Sequence, residues 1–181
     1  MTGPDAPPPP DDVEALGPDA DHEAVARKIL LDQLTGRARS RKELADKLAR
    51  KQVPVEVATT LLDRFEEVGL VDDAAFAQEW VHSRQAGRGL ARRALSVELR
   101  RKGVDQEVIA EAVGQVAPED EMEAARLLVR RKLPSLQRFD EVTIVRRLTG
   151  MLARKGYPAG IAYQVVREEI AGAEELLDGQ G

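Results

Sequence analysis

The sequence predicts an all-α protein built as three tandem three-helix repeats that form an elongated, curved array. Three observations carry this expectation. The chain is rich in Ala, Leu, Arg and Glu, 33% charged and only 3% aromatic, which favours helices and is poor material for a large β-sheet core. Apolar residues recur at helical spacing, as in Val57, Leu61, Phe65 and Val68, broadened by Ala58 and Leu62. One segment also occurs three times without gaps. It runs through Leu44, Leu48, Val53, Pro54 and Val57, returns as Leu95, Leu99, Val104, Asp105 and Val108, and returns again as Leu148, Leu152, Tyr157, Pro158 and Ile161, at offsets of 51 and 53 residues.

Taken in order, residues 1–21 combine the Pro7 to Pro10 run with acids and few apolar groups, so a disordered acidic tail is expected there. Repeat one is expected over 22–69, repeat two over 70–117, repeat three over 118–172, and an acidic tail over 173–181, with Leu176 and Leu177 able to lengthen the last helix. The opening helices run roughly from His22 to Leu34, Asp72 to Gln85 and Glu119 to Leu133. Ser40 followed by Glu43 has the spacing of a capping box for the middle helix of repeat one. Gly103 and Gly156 supply the left-handed residue that ends the middle helices of repeats two and three, while Pro54 and Pro158 pre-set φ for the helix that follows. Gln52 stands where glycine is wanted, at a cost of roughly 1 kcal/mol if the turn is kept, so a slightly different first junction is expected. A unit of about 50 residues is near the lower limit of independent stability, so neighbouring repeats are expected to share interfaces.

Composition also excludes function classes. The sequence contains no cysteine, so neither disulfides nor a thiolate metal site is available, which fits a reducing compartment. The start MTGPDAPPPP lacks the regions of a signal peptide, and no apolar run reaches the roughly 18 residues of a membrane span. A cytoplasmic protein without a membrane partner is expected. The net charge of −5 is misleading about the body of the chain: nine acids lie before His22 or after Gly172, and without them 27 basic groups face 23 acidic ones, a net +4.

The inventory for catalysis is nearly empty, and no catalytic residue, metal or cofactor is expected. His22 sits at the tail boundary, and His82 on a helix flank reads as a surface residue. Gly87-Arg88-Gly89 follows a helix and lacks the Lys-Ser/Thr signature of a phosphate loop, so it reads as a connector. Asp72 and Asp73 stand at a helix start, where capping explains them better than a carboxylate pair does. Phe76 and Trp80, at i and i+4, have the spacing of a base-stacking pair and also of a buried face; the core reading is preferred.

The basic groups are more informative because the repeat lets equivalent positions be compared. Arg50, Arg101 and Arg154 are equivalent, as are Lys51, Lys102 and Lys155, and cations near a helix C-terminus gain roughly 0.3 to 1 kcal/mol each from the dipole. Lys42, Arg93 and Arg146 are also equivalent but are expected near helix starts, where that preference reverses, so stability does not account for them. On a helical wheel Arg92, Arg93, Ser96 and Arg100 form a flank beside Leu95 and Leu99, preceded by Arg84 and Arg88 in the connector. A basic stripe repeated once per unit suits an extended anionic partner, a nucleic-acid backbone or the acidic groove of a protein polymer. A solvated charged face, with Glu98 and Glu107 interspersed, is the competing explanation.

From Val25 to Ala171 the sequence resembles the RecX family of recombination regulators, most specifically over Gly69 to Val113. The pattern is carried by Gly69, Leu70, Asp72 and Asp73, then Phe76 and Ala77, then Arg84 with Gly87 and Gly89, and finally Leu99, Lys102, Gly103 and Val104. Gln52, Trp80 and the acidic leader depart from it. The resemblance implies a cytoplasmic modulator that binds the RecA filament on single-stranded DNA and represses its ATPase, strand exchange and co-protease activities by occupancy. On that reading Arg84, Arg88, Arg92, Arg93 and Arg100, with Lys42 and Arg146, are expected to contact the partner, and a monomer is expected because no heptad run demands a coiled coil. Two alternatives stay open. Ser40 to Val71 alone looks like half of a helix-turn-helix transcription regulator, although its threefold recurrence and the absence of a predicted strand wing oppose this. The other is a single-strand binder that works without RecA.

Overall fold

The computed structural model describes residues 22–178, so the leader expected over 1–21 and the final residues 179–181 lie outside the described residues. Among the described residues the fold is all-α, with no strand and therefore no hairpin wing. The helices are α1 (His22–Gly36), α2 (Arg41–Arg50), α3 (Val55–Glu67), α4 (Asp73–Arg88), α5 (Arg92–Arg101), α6 (Gln106–Gly114), α7 (Pro118–Lys132), α8 (Glu141–Arg154) and α9 (Ala159–Asp178), with a short 3-10 helix at Leu133–Leu136. They form three successive opening, middle and closing sets, the repeat expected from the sequence. The last helix continues through Leu176 and Leu177, so most of the segment expected as a C-terminal tail is helical.

The chain divides into two compact units. The first holds α1 to α3, the start of α4 up to Phe76, and the turn residues Lys102–Val104; the second holds the rest. In the first unit Ala26, Ile29 and Leu30 of α1 meet Leu44 and Leu48 of α2 and Leu61, Leu62 and Phe65 of α3, all buried. In the second, Ala125 and Val129 of α7 pack with Leu148 and Leu152 of α8, Tyr157, and Val165, Val166 and Ile170 of α9. Leu95, Leu99 and Ile109 are likewise sealed from solvent. The repeated Leu pair at i and i+4 is thus the core stripe of every middle helix.

Local chemistry sets the helix ends. Ser40 accepts from the Glu43 N–H, and the Glu43 side chain accepts from the Ser40 N–H, which completes the expected capping box. Asp72 accepts from the Ala75 N–H at 2.9 Å, in line with its expected capping role. Gln52 adopts φ +59 and keeps the same turn as its glycine counterparts. The Val53 N–H donates to the Leu48 carbonyl at 3.1 Å, as the Tyr157 N–H does to Leu152 at 3.1 Å. The expectation of a different first junction is therefore corrected: the double hydrogen bond of the helix stop holds Gln52 in the left-handed region. Two further corrections concern helix limits. Helix α4 runs on to Arg88, so Arg84, Gly87 and Arg88 are helical, and the chain turns only at Gly89, φ +59. Helix α8 starts at Glu141, where Asp140 accepts from the Thr143 N–H at 3.0 Å; Arg146 therefore lies beyond the first turn, and the dipole argument applies to Lys42 and Arg93 but not to it.

Candidate partner-binding face

The middle helices carry the candidate cations, and two equivalent joints fix where those helices begin. In the first unit the Ser40 hydroxyl donates to the Lys102 carbonyl at 2.7 Å, and Lys102 Nζ donates to Glu43 Oε1 at 2.5 Å. Asp73 Oδ1 accepts from the Arg41 N–H, the first of α2, at 2.8 Å. In the second unit the Ala91 N–H donates to the Lys155 carbonyl at 2.9 Å, Lys155 Nζ donates to the Arg88 carbonyl at 2.6 Å, and Glu121 accepts from the Arg92 N–H at 2.8 Å. In the second unit the carbonyl end of α8 thus meets the N–H end of α5, so opposite dipole ends meet and orphan backbone groups find partners, and in the first unit the Lys102 carbonyl takes the Ser40 hydroxyl at the start of α2. Burial pushes the Asp73 carboxyl above its usual range, against the pull of its bond from Arg41. For Glu43 burial also acts upward, but the hydrogen bonds from Lys102 and Ser40 outweigh it and hold the carboxyl below its usual range. Tyr157 donates its buried hydroxyl to the Gly89 carbonyl at 3.0 Å, and burial, with help from Glu121, pushes its pKa up to about 12.

The seven sequence-derived positions do not share one environment. Arg84 lies over the Trp80 ring, 4.2 Å from its centroid, and is 3.3 Å from Glu98, which also accepts from the Trp80 indole at 2.9 Å. Trp80 is thus half-buried and anchored, with Phe76 buried. Arg92 faces Glu121, and Lys42 pairs with Asp46 at 2.6 Å. Arg88, Arg93, Arg100 and Arg146 are exposed, and no ion pair engages them among the described residues. Arg100 has only a long hydrogen bond of 3.4 Å to Gln106.

The structure brings Arg93 together with two residues that the sequence reading attributed to helix-end electrostatics alone. Arg93 and Arg101 of α5 and Arg154 of α8 line an open cleft of ≈ 450 Å³ in the second unit, walled by Val97, Ala153 and Tyr157. Arg146 lies instead on the rim of an adjoining groove with Thr149, Gly150, Ala153, Ala159, Ala162 and Tyr163. Arg101 and Arg154 do occupy the last helical residues, as expected, but they are also free cations at a concave surface. Exposure is what distinguishes the two roles, and periodicity carries no signal for it. Among the described residues no group of three or more His, Cys, Asp or Glu is placed to hold a metal ion, and no helix is long and apolar enough to cross a membrane.

Three three-helix repeats whose middle helices carry exposed arginines without ion pairs among the described residues define a class, the helical-repeat proteins with a charged face. Comparison with known proteins narrows the class. The first, second and third three-helix domains of RecX match residues 26–65, 72–113 and 119–166. The chain is 54% identical over 147 residues to the regulatory protein RecX of Thermobifida fusca, covering 81% of this chain and 80% of that one. It is 45% identical over 171 residues to the regulatory protein RecX of Mycolicibacterium smegmatis, covering 92% and 90%. The crystal structure of RecX from Lactobacillus salivarius superposes with a TM-score of 0.75 at 17% identity, over 83% of this chain and 98% of that chain, a likeness of fold. The chain belongs to the RecX family.

Proposed function

We propose that this protein is a cytoplasmic regulator that binds the RecA nucleoprotein filament and inhibits RecA ATPase, strand exchange and co-protease activity in recombination and the SOS response. It acts by occupancy, not by turnover, and as a monomer. The observation that carries the reading is the match of all three repeats to RecX domains, together with relatives named as regulatory proteins. The free arginines of α5 and α8 support it, because a repeated cationic face suits a partner that is itself a polymer and gains from multivalent contact. On this reading Arg88, Arg93, Arg100 and Arg146 meet the partner directly, joined by Lys42, while Arg84 and Arg92 contribute through the arginine flank that their carboxylate contacts hold in place.

The test is inhibition of filament ATPase by a double charge reversal, Arg93→Glu with Arg100→Glu. Both side chains are exposed, so helicity and melting stay as in the wild type while inhibition is lost. A folded double variant that inhibits normally rejects the assignment. Running the same titration against bare single strands at several salt concentrations separates action through the recombinase from plain strand binding.

A further inference from the structure

The turns that end α5 and α8 are docking surfaces, and the glycine in each is what opens it. The α5–α6 turn meets the start of α2: the Lys102 carbonyl takes the Ser40 hydroxyl, and a Cβ added at Gly103 would fall 2.3 Å from Lys42 Cδ and 2.5 Å from Lys42 Cβ. The α8–α9 turn meets the start of α5: the Lys155 carbonyl takes the Ala91 N–H, and a Cβ at Gly156 would fall 2.6 Å from the Ala94 backbone nitrogen. These approaches are far inside the roughly 3.5 to 4.0 Å of ordinary carbon contact. The left-handed conformation alone does not demand glycine, because Gln52 holds the same turn at φ +59. What demands it at 103 and 156 is the close approach of a helix start.

The remaining turn, at residues 51–53, and the remaining middle-helix start, that of α8, carry the same chemistry on open surfaces. Gln52 is exposed, and Val55 just beyond it is 68% exposed. At the α8 start Val142 is 78% exposed; it is the second residue of its helix, as Lys42 is of α2. Lys51 stands where Lys102 and Lys155 stand, whose Nζ atoms reach Glu43 and the Arg88 carbonyl in the two joints. The α8 start brings the acids Asp140, which caps Thr143, and Glu141, which pairs with Arg167. The turn of one molecule and the α8 start of another are therefore opposite halves of the joint that the chain already makes twice. Tandem repeats stack through one recurring interface, and two different surfaces that fit each other add copies head to tail. Gln52 is the exception to the pattern: its side chain fills the place that glycine leaves empty in both joints.

We propose that the α2–α3 turn is a docking surface for the α8 start of a second copy of this chain, and that Gln52 keeps it shut. One side chain thereby holds a chain of self-complementary repeats in the monomeric state. The inference concerns self-association and not the recombinase, so its failure leaves the inhibitory function standing, and loss of that function leaves this inference standing.

The experiment is sedimentation velocity on the full chain over a wide concentration range, with circular dichroism to show that each variant is folded. The wild type sediments as a monomer throughout. Gln52→Gly opens the turn, and its sedimentation coefficient rises with concentration without levelling off at a dimer, as an open head-to-tail series requires. Its self-association is about 5- to 150-fold tighter than that of the wild type, the range set by forcing one Cβ into a packed contact. Gln52→Ala keeps the Cβ and stays monomeric, which separates the gap from loss of the amide. Adding Val142→Lys to Gln52→Gly places bulk and like charge opposite Lys51 and returns the protein to a monomer; Val142 is exposed, so its replacement keeps the fold. A Gln52→Gly variant that stays monomeric, a Gln52→Ala variant that associates as strongly as the glycine one, or association that survives Val142→Lys overturns the proposal. A wild type that associates as tightly as Gln52→Gly overturns it as well.

Discussion

Gly156 lies where the second-unit joint is tightest, and replacing it with alanine separates a contact from a conformation. Its φ is +93, and a Cβ added there would fall 2.6 Å from the Ala94 backbone nitrogen and 2.7 Å from the Ala94 Cβ. Neither atom is the free end of a flexible side chain, and Ala94 sits in the first turn of α5, whose start is pinned by Glu121 and by the Lys155 carbonyl. Gly69 is the control: its φ is +74, with nothing within 4 Å of an added Cβ. A left-handed alanine costs about 1 to 2 kcal/mol, from which about 0.4 to 1 kcal/mol is recovered because alanine restricts the unfolded chain. Gly69→Ala is therefore expected to destabilise by about 1 kcal/mol. Gly156→Ala carries the same change plus overpacking of about 1 to 3 kcal/mol, for a total of about 2 to 4. Urea unfolding followed by circular dichroism measures both, and hydrogen exchange at Leu95 N–H, which donates to the Ala91 carbonyl, reports whether the start of α5 loosens. Equal costs for the two alanines, or unchanged exchange at α5 in Gly156→Ala, would refute the close-packed joint.

Two further substitutions test the first unit. Gln52→Gly relieves the left-handed strain at φ +59 while loosening the unfolded chain, so a gain of a few tenths to about 1 kcal/mol is expected, read as a raised urea midpoint with an unchanged m-value; a loss of stability contradicts the strain argument. Glu43→Gln keeps the shape of the capping box but removes the charge that faces Lys102, at an expected cost of about 1 to 2 kcal/mol at neutral pH. Because the folded carboxyl lies below its ordinary 4.5, its contribution is complete above that value and fades as pH falls through the lower folded pKa, so wild type and variant converge in acid. A gap that stays constant down to strong acid removes the ion pair from the explanation.

The repeat was legible because burial and backbone geometry leave marks in sequence. Leu44 and Leu48, Leu95 and Leu99, and Leu148 and Leu152 had to be apolar at helical spacing, and all six are essentially inaccessible to solvent. Gly103 and Gly156 announced a left-handed turn, and both have positive φ. What the sequence did not disclose was which cations are already matched by acids, since that depends on contacts between residues far apart in the chain. Arg84 and Arg92 read as members of a free stripe, yet each faces a carboxylate, from Glu98 and Glu121 respectively. Arg101 and Arg154 read as dipole partners, yet both face a cleft. Gln52 misled for the complementary reason: residue identity suggested a changed turn, and the hydrogen bonds of the turn prevailed over residue preference.

The distribution of ion pairs sharpens the case for a dedicated face. On the α7–α9 side of the second unit, Arg126 and Arg130 are matched by Glu123, Glu168 and Glu169, and Arg167 by Glu141. A surface that only needed solubility would carry its acids and bases in the same mixture everywhere, as this side does. The α5–α8 side departs from that mixture: Arg93, Arg101 and Arg154 meet in one concavity whose only acid is bound elsewhere. Clustering like charges raises the energy of the free protein, a cost that solubility alone does not account for. The bulk charge of −5 is therefore a poor guide to this protein's partners: six of its acids lie in residues 1–21, outside the described residues, and others stand opposite a lysine or arginine, whereas Arg93, Arg101 and Arg154 have no ion pair among the described residues.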